Sequence, residues 1–430
     1  MGALNSFRVF LTNTAIIVSF NRRFDMSDST MEFSNEVITK WPFSDRASAI
    51  KANVIREILK ISSRPGIINF AGGLPAAELF PETHLKAASE KVFEKHGPKA
   101  LQYSLTQGIM ELREILAERA STPEMKFNSD SIQITTGSQQ ALDLIGRAFI
   151  NPGDYVLTEA PTYLGALSAF NFYNARYCTV PMDEEGMIVE MAEEKIKECK
   201  PKLIYVVPNF QNPSGITMSG KRREALVDIA AKYQIPIIDD NPYGELRYSG
   251  DPAPSLKTLG GNAVISLGTF SKIISPGVRI GWVAACPEVA SMIERVKQST
   301  DLHSTTFTQY LVYEYIMAGH LDNHIELIKK EYRKRRDIML NTMANEFPRD
   351  VKFTRPQGGL FLWITLPAGI SASEVFDKAV DAGVACVPGK PFYPHNDNDQ
   401  SFRVNFCHAS EDNIVEGIRR LASVLNEVVV

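Results

Sequence analysis

Short apolar runs alternate with helical stretches and Pro/Gly turns between residues 81 and 319. Two of these runs, 203–207 and 235–238, contain only apolar residues apart from one tyrosine. A strand without polar alternation is buried on both faces, which is typical of a parallel sheet covered by helices. The pattern therefore predicts an α/β fold with a mostly parallel sheet flanked by helices.

Polar residues that can take part in catalysis or binding follow the ends of these runs. The run at 264–269 leads into a turn that carries Lys272, and the run at 235–238 leads to Asp240 and then Tyr243. Ligands of parallel α/β sheets bind outside the carboxyl ends of the strands. The three side chains are therefore predicted to share one pocket.

Two further runs end in the same way. Asn212 follows the run at 203–207 in amide-rich and Pro/Gly-rich turn chemistry. The run at 132–136 turns at Gly137 into a helix whose first turn carries Ser138 and Gln139. Free N–H groups and a hydroxyl at a helix start favour an anion. An anion site beside the pocket is predicted.

Lys272 has the features of a Schiff-base lysine. Such a lysine must spend part of its time unprotonated, and burial beside a second cation such as Arg279 lowers its pKa toward that state. An ordinary surface lysine after a strand is the alternative interpretation.

These parts together suit pyridoxal 5'-phosphate (PLP). From about residue 48 onward the chain resembles the fold type I, class I/II PLP-dependent aminotransferases. Within them it is most similar to the subgroup of 2-aminoadipate (LysN-type), kynurenine/aminoadipate and archaeal multi-substrate enzymes. The resemblance implies a large PLP-binding domain at residues 76–319. It also implies a small α+β domain built from both chain ends, 46–75 and 320–430, and leaves residues 1–45 as an N-terminal arm.

The resemblance also implies the roles of the site residues. Lys272 forms the Schiff base and later moves a proton at Cα, and Asp240 keeps the ring nitrogen protonated. Tyr243 and Asn212 bond the ring oxygen, and Asn212 contacts the substrate as well. The remaining cofactor contacts are Tyr163, stacked on the ring; Ser138, Gln139, Thr269, Ser271 and Arg279, around the phosphate; and Tyr103, which reaches the neighbouring subunit's phosphate. A homodimer with shared active sites follows from that last contact.

The substrate contacts are predicted from two arginines and a glycine pair. Arg403 lies in a strand-like alternation at 401–407, where a buried guanidinium needs a partner. A substrate carboxylate supplies one in a bidentate pair, and an internal salt bridge is the alternative. The resemblance implies that Arg56 lies on a mobile helix and binds the distal carboxylate of an acidic substrate. The alternative is that Arg56 lies on a solvated helix face. Gly72 and Gly73 let backbone approach the ligand.

The predicted function is a PLP-dependent transaminase with a ping-pong mechanism. The amino group moves from 2-aminoadipate, glutamate, leucine or aromatic donors to 2-oxoglutarate. A lyase or decarboxylase on the same fold is one alternative, because Lys272 and Asp240 serve those reactions too. The effector domain of a MocR-type regulator is the other, although fewer than 50 residues precede the match for its winged helix.

Composition is that of a cytoplasmic enzyme. The chain has 430 residues and a formal net charge of −4, which gives no reason to expect nucleic acid or membrane binding. Seven histidines show no metal-ligand spacing. The scattered cysteines predict reduced thiols rather than a disulfide framework. They are Cys178, Cys199, Cys286, Cys386 and Cys407.

The first 24 residues stand apart from the rest. They contain three arginines, no acids and an apolar run at 15–20. Three interpretations remain: translation that truly starts at Met26 or Met31, an organellar presequence, or an ordered N-terminal arm.

Overall fold

The computed structural model describes residues 10–12, 15–17, 43–48, 50, 58 and 64–429. It divides the chain into two units, Met1–Ser44 and Asp45–Val430. The first unit contains an antiparallel pair, β1 (Phe10–Thr12) and β2 (Ala15–Ile17). The predicted N-terminal arm falls largely outside the described residues.

Fourteen strands of the second unit are described. They are β3 Ile68–Asn69, β4 Ile132–Thr135, β5 Tyr155–Ala160, β6 Arg176–Asp183, β7 Gly186–Met187, β8 Leu203–Val206, β9 Ile237–Asp240, β10 Val264–Thr269, β11 Gly281–Ala284, β12 Lys352–Phe353, β13 Phe361–Thr365, β14 Val384–Ala385, β15 Val387–Pro388 and β16 Ser401–Asn405.

The described helices surround these strands. They are Asp45–Ser48, Glu82–Ala100, Met110–Ala120, Ser138–Phe149, Leu164–Asn171, Val189–Cys199, Gly220–Tyr233, Leu256–Gly260, Pro287–Gln298, Thr306–Met317, His320–Glu346, Ala372–Asp381 and Glu411–Val428. Among the described helices, none is long and apolar enough to cross a membrane.

The large sheet has eight strands in the order β4-β11-β10-β9-β8-β5-β6-β7. The five strands from β10 to β6 are parallel, whereas β11 runs antiparallel to both of its neighbours and β7 runs antiparallel to β6. Every residue of β8 and β9 is buried, which agrees with the apolar sequence of β8 and of the first half of β9; Asp239 and Asp240 end β9 and are buried as well. The predicted α/β architecture is present.

Alternate residues of the central strands pack on opposite faces of the sheet. Leu203 and Ile238 belong to one apolar cluster, while Ile204 and Ile237 belong to a second. This period of two means that neighbouring residues at a strand end, such as Asp239 and Asp240, also point to opposite faces.

A smaller antiparallel sheet, β12-β13-β16-β15, forms from the C-terminal part of the chain. The long helix His320–Glu346 packs on the last helix, Glu411–Val428. β3, which precedes the large sheet in sequence, pairs in parallel with β14 through Ile68 and Val384. This pairing supports the predicted small domain of 46–75 and 320–430, and the domain boundaries stay a proposal.

The expectation of five reduced cysteines is wrong for one pair. Cys178 on β6 and Cys199 at the end of the helix Val189–Cys199 form a disulfide, with their Cα atoms 6.5 Å apart. That separation lies within the range that a disulfide spans. The helix packs beside β6, so two cysteines that are 21 residues apart in sequence become neighbours. Cys286, Cys386 and Cys407 are free.

Candidate active site

A cavity of about 280 Å³ lies at the carboxyl ends of the large sheet's strands. Asp240 is the last residue of β9, and Lys272 follows β10 in a 3-10 turn, Phe270–Lys272. The residues that line the cavity are Gly73, Ser138, Gln139, Tyr163, Val207, Asn212, Asp240, Pro242, Tyr243, Thr269, Ser271, Lys272, Pro276, Arg279, Phe361 and Arg403. Nearly all of the predicted site residues therefore meet in one place.

Three predicted residues are not among those that line it. Tyr103 is 79% exposed and contacts His303 edge to face, at 5.8 Å between ring centroids. Gly72 precedes the lining residue Gly73 and is buried, and its carbonyl accepts a hydrogen bond from Asn405 at 2.6 Å. Arg56 lies outside the described residues.

Lys272 is set up to lose its proton easily. Its Nζ donates a hydrogen bond to the Gly73 carbonyl at 2.9 Å. Burial, together with the charges of Arg403 and Arg279, lowers the pKa of Lys272 to about 8. Near neutral pH, a useful fraction of this amine is an unprotonated nucleophile.

Asp240 is a buried carboxylate with one open oxygen. Its Oδ2 accepts a hydrogen bond from the Tyr205 hydroxyl at 2.7 Å. Among the described residues, Oδ1 has no hydrogen-bond partner. Burial, with a smaller contribution from the charge of neighbouring Asp239, raises the pKa of Asp240 to about 7. A buried carboxylate of this kind needs a further donor.

The start of the helix Ser138–Phe149 forms an anion cradle. Gly137 precedes it with φ of +74°, and a Cβ added there would lie 2.6 Å from Arg279 Nη2. The Arg279 guanidinium is held there by a bond from Nη2 to the Thr136 carbonyl at 3.1 Å. Helix N–H groups, the Ser138 hydroxyl and a guanidinium therefore converge on a phosphate-sized space.

The remaining polar groups of the cradle and the ring site are tied to one another. Thr269 Oγ1 lies 2.9 Å from Ser271 Oγ and accepts a bond from the Ser271 N–H. The Gln139 amide donates to the Gly165 carbonyl at 2.8 Å. A Cβ at Gly165 would lie 2.4 Å from the Tyr163 ring, so this glycine makes room for that ring.

Arg403 is a buried cation with neutral partners. It is 2% exposed, and its two Nη groups donate to Asn212 Oδ1 at 2.8 Å and to the Ala71 carbonyl at 2.7 Å. Its guanidinium carbon lies 4.2 Å from the ring centroid of Phe361 and 5.2 Å from that of Phe392. Among the described residues, Nε has no partner. Among the described residues, no carboxylate forms a salt bridge with Arg403, so the alternative of an internal salt bridge is not supported within this set.

Sequence reasoning missed several residues of the site. Val207 directly follows β8, so the strand-end pattern offered a signal for it. Phe361 is brought over Arg403 by the pairing of β13 with β16. Tyr205 lies within a continuous apolar run, where nothing distinguishes it from a core residue. Only the register of β8 and β9 brings it to Asp240.

The residues fit the predicted cofactor. The open Oδ1 of Asp240 lacks only a donor, which a protonated pyridine nitrogen supplies. The cradle at Gly137 and Arg279 suits a phosphate dianion. Lys272 lines the same cavity as Asp240 and Arg279, so the amine, the carboxylate and the cradle can contact one bound molecule.

Comparison with known proteins gives matches over most of the chain. The model of the aminotransferase class I and II family matches residues 65–421. The aromatic-amino-acid aminotransferase 1 of Thermococcus litoralis is 47% identical over 392 residues, 90% of this chain and 94% of that one. The 2-aminoadipate transaminase of Thermus thermophilus is 39% identical over 387 residues, 89% of this chain and 96% of that one.

A solved structure agrees with these sequence matches. The Pyrococcus horikoshii kynurenine aminotransferase, in complex with PMP and with kynurenine as substrate, superposes with a TM-score of 0.86 at 46% identity. The match covers 90% of this chain and 97% of that one.

Proposed function

We propose that this chain, which belongs to the aminotransferase class I and II family and is a PLP-dependent transaminase, transfers an amino group from an amino acid to 2-oxoglutarate in a ping-pong cycle. The predicted fold type, cofactor and enzyme class are confirmed. The observation that carries the finer proposal is Arg403, a buried cation with an open Nε beside Lys272. Arg403 has no carboxylate partner among the described residues. An amino acid and a 2-oxo acid both carry a carboxylate that could bind it.

The residues around the cofactor have separate tasks. When bound, PLP supplies a ring that takes up the electrons released at the substrate Cα. We assign Lys272 Nζ the attachment of the cofactor and the proton transfer at Cα. Asp240 Oδ1 would accept a hydrogen bond from the protonated ring nitrogen, and Tyr243 and Asn212 would bind the ring oxygen. Tyr163 would pack on one face of the ring.

The cradle would bind the phosphate group of PLP. Ser138, Thr269, Ser271 and Arg279 surround the start of the helix Ser138–Phe149 on the cavity side. Their donors and the helix N-terminus favour a dianion together. Because the phosphate takes no part in the chemistry, these contacts would hold the cofactor in place independently of Lys272.

Arg403 orients the substrate through its α-carboxylate. The two phenyl rings that flank its guanidinium exclude water and hold its plane fixed. The Asn212 amide shares this guanidinium, so Asn212 links carboxylate binding to the ring oxygen. A lysine at this position would not keep the planar fork that binds a carboxylate in two bonds.

We propose that the enzyme accepts a range of amino donors. Among the described cavity residues, the cations are Lys272, Arg279 and Arg403, and each has a task already. A distal carboxylate would therefore rely on Arg56, which lies outside the described residues. The similar proteins include one named for aromatic amino acids and one named for 2-aminoadipate. We therefore infer that 2-aminoadipate, glutamate, leucine and aromatic donors are all candidates.

A half-reaction titration tests this proposal. Purified holoenzyme is mixed with single amino acids, and the absorbance of the lysine-bound cofactor is followed as it converts to the pyridoxamine form. Fast conversion by 2-aminoadipate and glutamate that is lost in Arg56→Ala identifies an acidic-substrate enzyme. Conversion by leucine or aromatic donors that ignores Arg56 identifies an apolar-substrate enzyme. Absence of conversion by every donor would contradict transamination and favour a lyase, a decarboxylase or a regulator.

Lys272→Ala tests the assignment of the amine. Because attachment and proton transfer both rest on this group, turnover is expected to fall by roughly a thousandfold or more. The phosphate cradle is untouched, so the variant should still retain PLP, which its fluorescence reports. Full transamination by Lys272→Ala would show that the assignment is wrong.

We also propose a homodimer with shared active sites, in the cytoplasm. Several exposed apolar residues lie in the segments around Tyr103 and His303: Phe93, Leu101, Leu105 and Leu302. A second copy that covers them would remove this apolar surface from water and bring Tyr103 to the neighbouring phosphate. Sedimentation analysis tests the dimer, and cell fractionation tests the location.

A further inference from the structure

Tyr205 lies directly behind the carboxylate that faces the cofactor site. It is fully buried on β8, and its hydroxyl donates to Asp240 Oδ2 at 2.7 Å. The strands β8 and β9 are parallel neighbours in which Tyr205 pairs with Ile238. Asp240 is two residues beyond Ile238 and so shares the same face of the sheet.

The surrounding packing holds the Tyr205 ring in place. Its ring stands edge to face against Phe170, with 5.9 Å between centroids and 81° between planes. Burial and the nearby Asp240 raise the pKa of Tyr205 well above its ordinary value, so the phenol keeps its proton. A phenol that stays protonated beside a carboxylate can only donate to it.

This bond opposes the other influences on Asp240. Burial and Asp239 both raise the pKa of Asp240, whereas the bond from Tyr205 lowers it. Among the described residues, no basic side chain is hydrogen-bonded to Asp240. Among the described residues, the phenol is therefore the group that favours the charged carboxylate. It also occupies Oδ2 and leaves Oδ1 as the open oxygen.

We propose that Tyr205 is a positioning residue for the reaction: it keeps Asp240 charged and presents Oδ1 alone to the ring nitrogen of the cofactor. The inference rests on the proposed role of Asp240. Tyr205 does not line the cavity and does not itself touch the cofactor or the substrate.

The test uses Tyr205→Phe and a matched control. The dissociation constant of PLP is measured for the apoenzyme between pH 5.5 and pH 9. Charged Asp240 is needed for tight binding, so the affinity of the parent for PLP decreases at low pH as Asp240 takes up its proton. We call this decrease the acid fall. In Tyr205→Phe this acid fall should move upward by about one pH unit, and affinity near neutral pH should drop roughly tenfold. Tyr173→Phe removes a similar bond, from a buried tyrosine to Asp143 at 2.8 Å, away from the cavity.

A role in packing alone predicts a different result. In that case Tyr205→Phe would lower the melting temperature, as Tyr173→Phe should, without moving the acid fall, and the proposal would be overturned. If Tyr205→Phe does not fold, Tyr205→His, which keeps a ring N–H donor, is measured by the same acid fall. A fall that stays near that of the parent in this variant supports the proposal, and one that moves fully upward opposes it.

A double-variant cycle separates this inference from the function it rests on. In an Asp240→Asn background there is no carboxylate to hold charged, so adding Tyr205→Phe should leave PLP affinity unchanged. Equal effects in both backgrounds would overturn the role of Tyr205. If Asp240→Asn alone binds PLP and turns over as the parent does, the proposed role of Asp240 fails instead.

Discussion

Lys272 owes its reactivity to its surroundings rather than to its own chemistry. Burial favours the neutral amine, and the charges of Arg403 and Arg279 act in the same direction. Two arginines that bind anions in the proposed reaction thus also prepare the nucleophile. We expect that a bound phosphate and a bound carboxylate would offset the charges of these arginines and so raise the affinity of the Lys272 amine for a proton. Anion binding and proton transfer would then be coupled through these charges.

Arg403→Met tests this coupling. The substitution keeps an apolar side chain between Phe361 and Phe392 and removes one positive charge, so the pKa of Lys272 should rise above about 8. Reductive trapping of PLP on the apoenzyme, measured against pH, reports the neutral amine. The profile should shift to higher pH in Arg403→Met and stay in place in Arg176→Met, an exposed arginine on β6. An unmoved profile would show that the charge of Arg403 does not contribute to the lowered pKa of Lys272.

At the scale of elements, the cradle depends on an antiparallel strand. β11 inserts between β4 and β10, and its residue Gly281 pairs with Thr135. A Cβ at Gly281 would lie 2.7 Å from the Gly137 carbonyl carbon, so the two turns pack backbone to backbone. This close approach brings Arg279, two residues before Gly281, to the start of the helix Ser138–Phe149.

Gly137→Ala should therefore damage the cradle. The added Cβ meets Arg279 Nη2 at 2.6 Å, and the φ of +74° strains any L-residue. We expect PLP affinity to fall roughly tenfold or more, because one charge-assisted contact to the phosphate is displaced. Gly153→Ala is the control: its φ is +91° and no atom lies within 4 Å of the added Cβ. It should lower stability by about 1 kcal/mol and leave PLP binding intact.

Histidines at the start of the helix His320–Glu346 should make stability sensitive to acid. The rings of His84 and His320 stack at 4.0 Å, and His324 is buried one turn later. Burial, with repulsion from His84, lowers the pKa of both His320 and His324. The unfolded chain therefore binds more protons than the folded chain as pH falls below the ordinary histidine value of about 6.5.

Melting temperature should thus decline as pH falls from 7.5 to 5.5. His324→Gln removes one of these groups and should flatten the decline by a few degrees. His395→Gln, at a histidine away from His84, His320 and His324 in sequence, serves as the comparison variant. Parallel declines in the parent and His324→Gln would show that other groups cause the acid sensitivity.

For the whole molecule, the proposed shared site predicts complementation between subunits. Lys272→Ala and Tyr103→Ala homodimers should both be weak. In a mixed dimer, one site pairs an intact Lys272 with an intact Tyr103 from its partner. Random reassortment of equal amounts should restore about a quarter of the parent activity. If mixing restores nothing while sedimentation shows mixed dimers, Tyr103 acts within its own chain or not at all.

Much of the site was predictable because of one rule of topology. The carboxyl ends of parallel strands meet at the same edge of a sheet, so residues that follow several apolar runs converge whatever the order of the strands. Lys272, Asp240, Asn212 and Ser138 obey that rule, and each was identified from its own short segment. Their chemical types narrowed the ligand further, and resemblance to a family supplied their roles.

The tertiary structure alone decided which distant side chains meet. The partnership of Tyr205 with Asp240 depends on the register of β8 and β9, and Phe361 reaches Arg403 through the pairing of β13 with β16. The bond between Cys178 and Cys199 depends on a helix packed beside β6. These contacts join segments whose separation in sequence carries no local signal, because register and packing are set by burial of the whole apolar surface. The sequence by itself determined the strand ends and their chemistry, and the packed fold determined the partners that tune them.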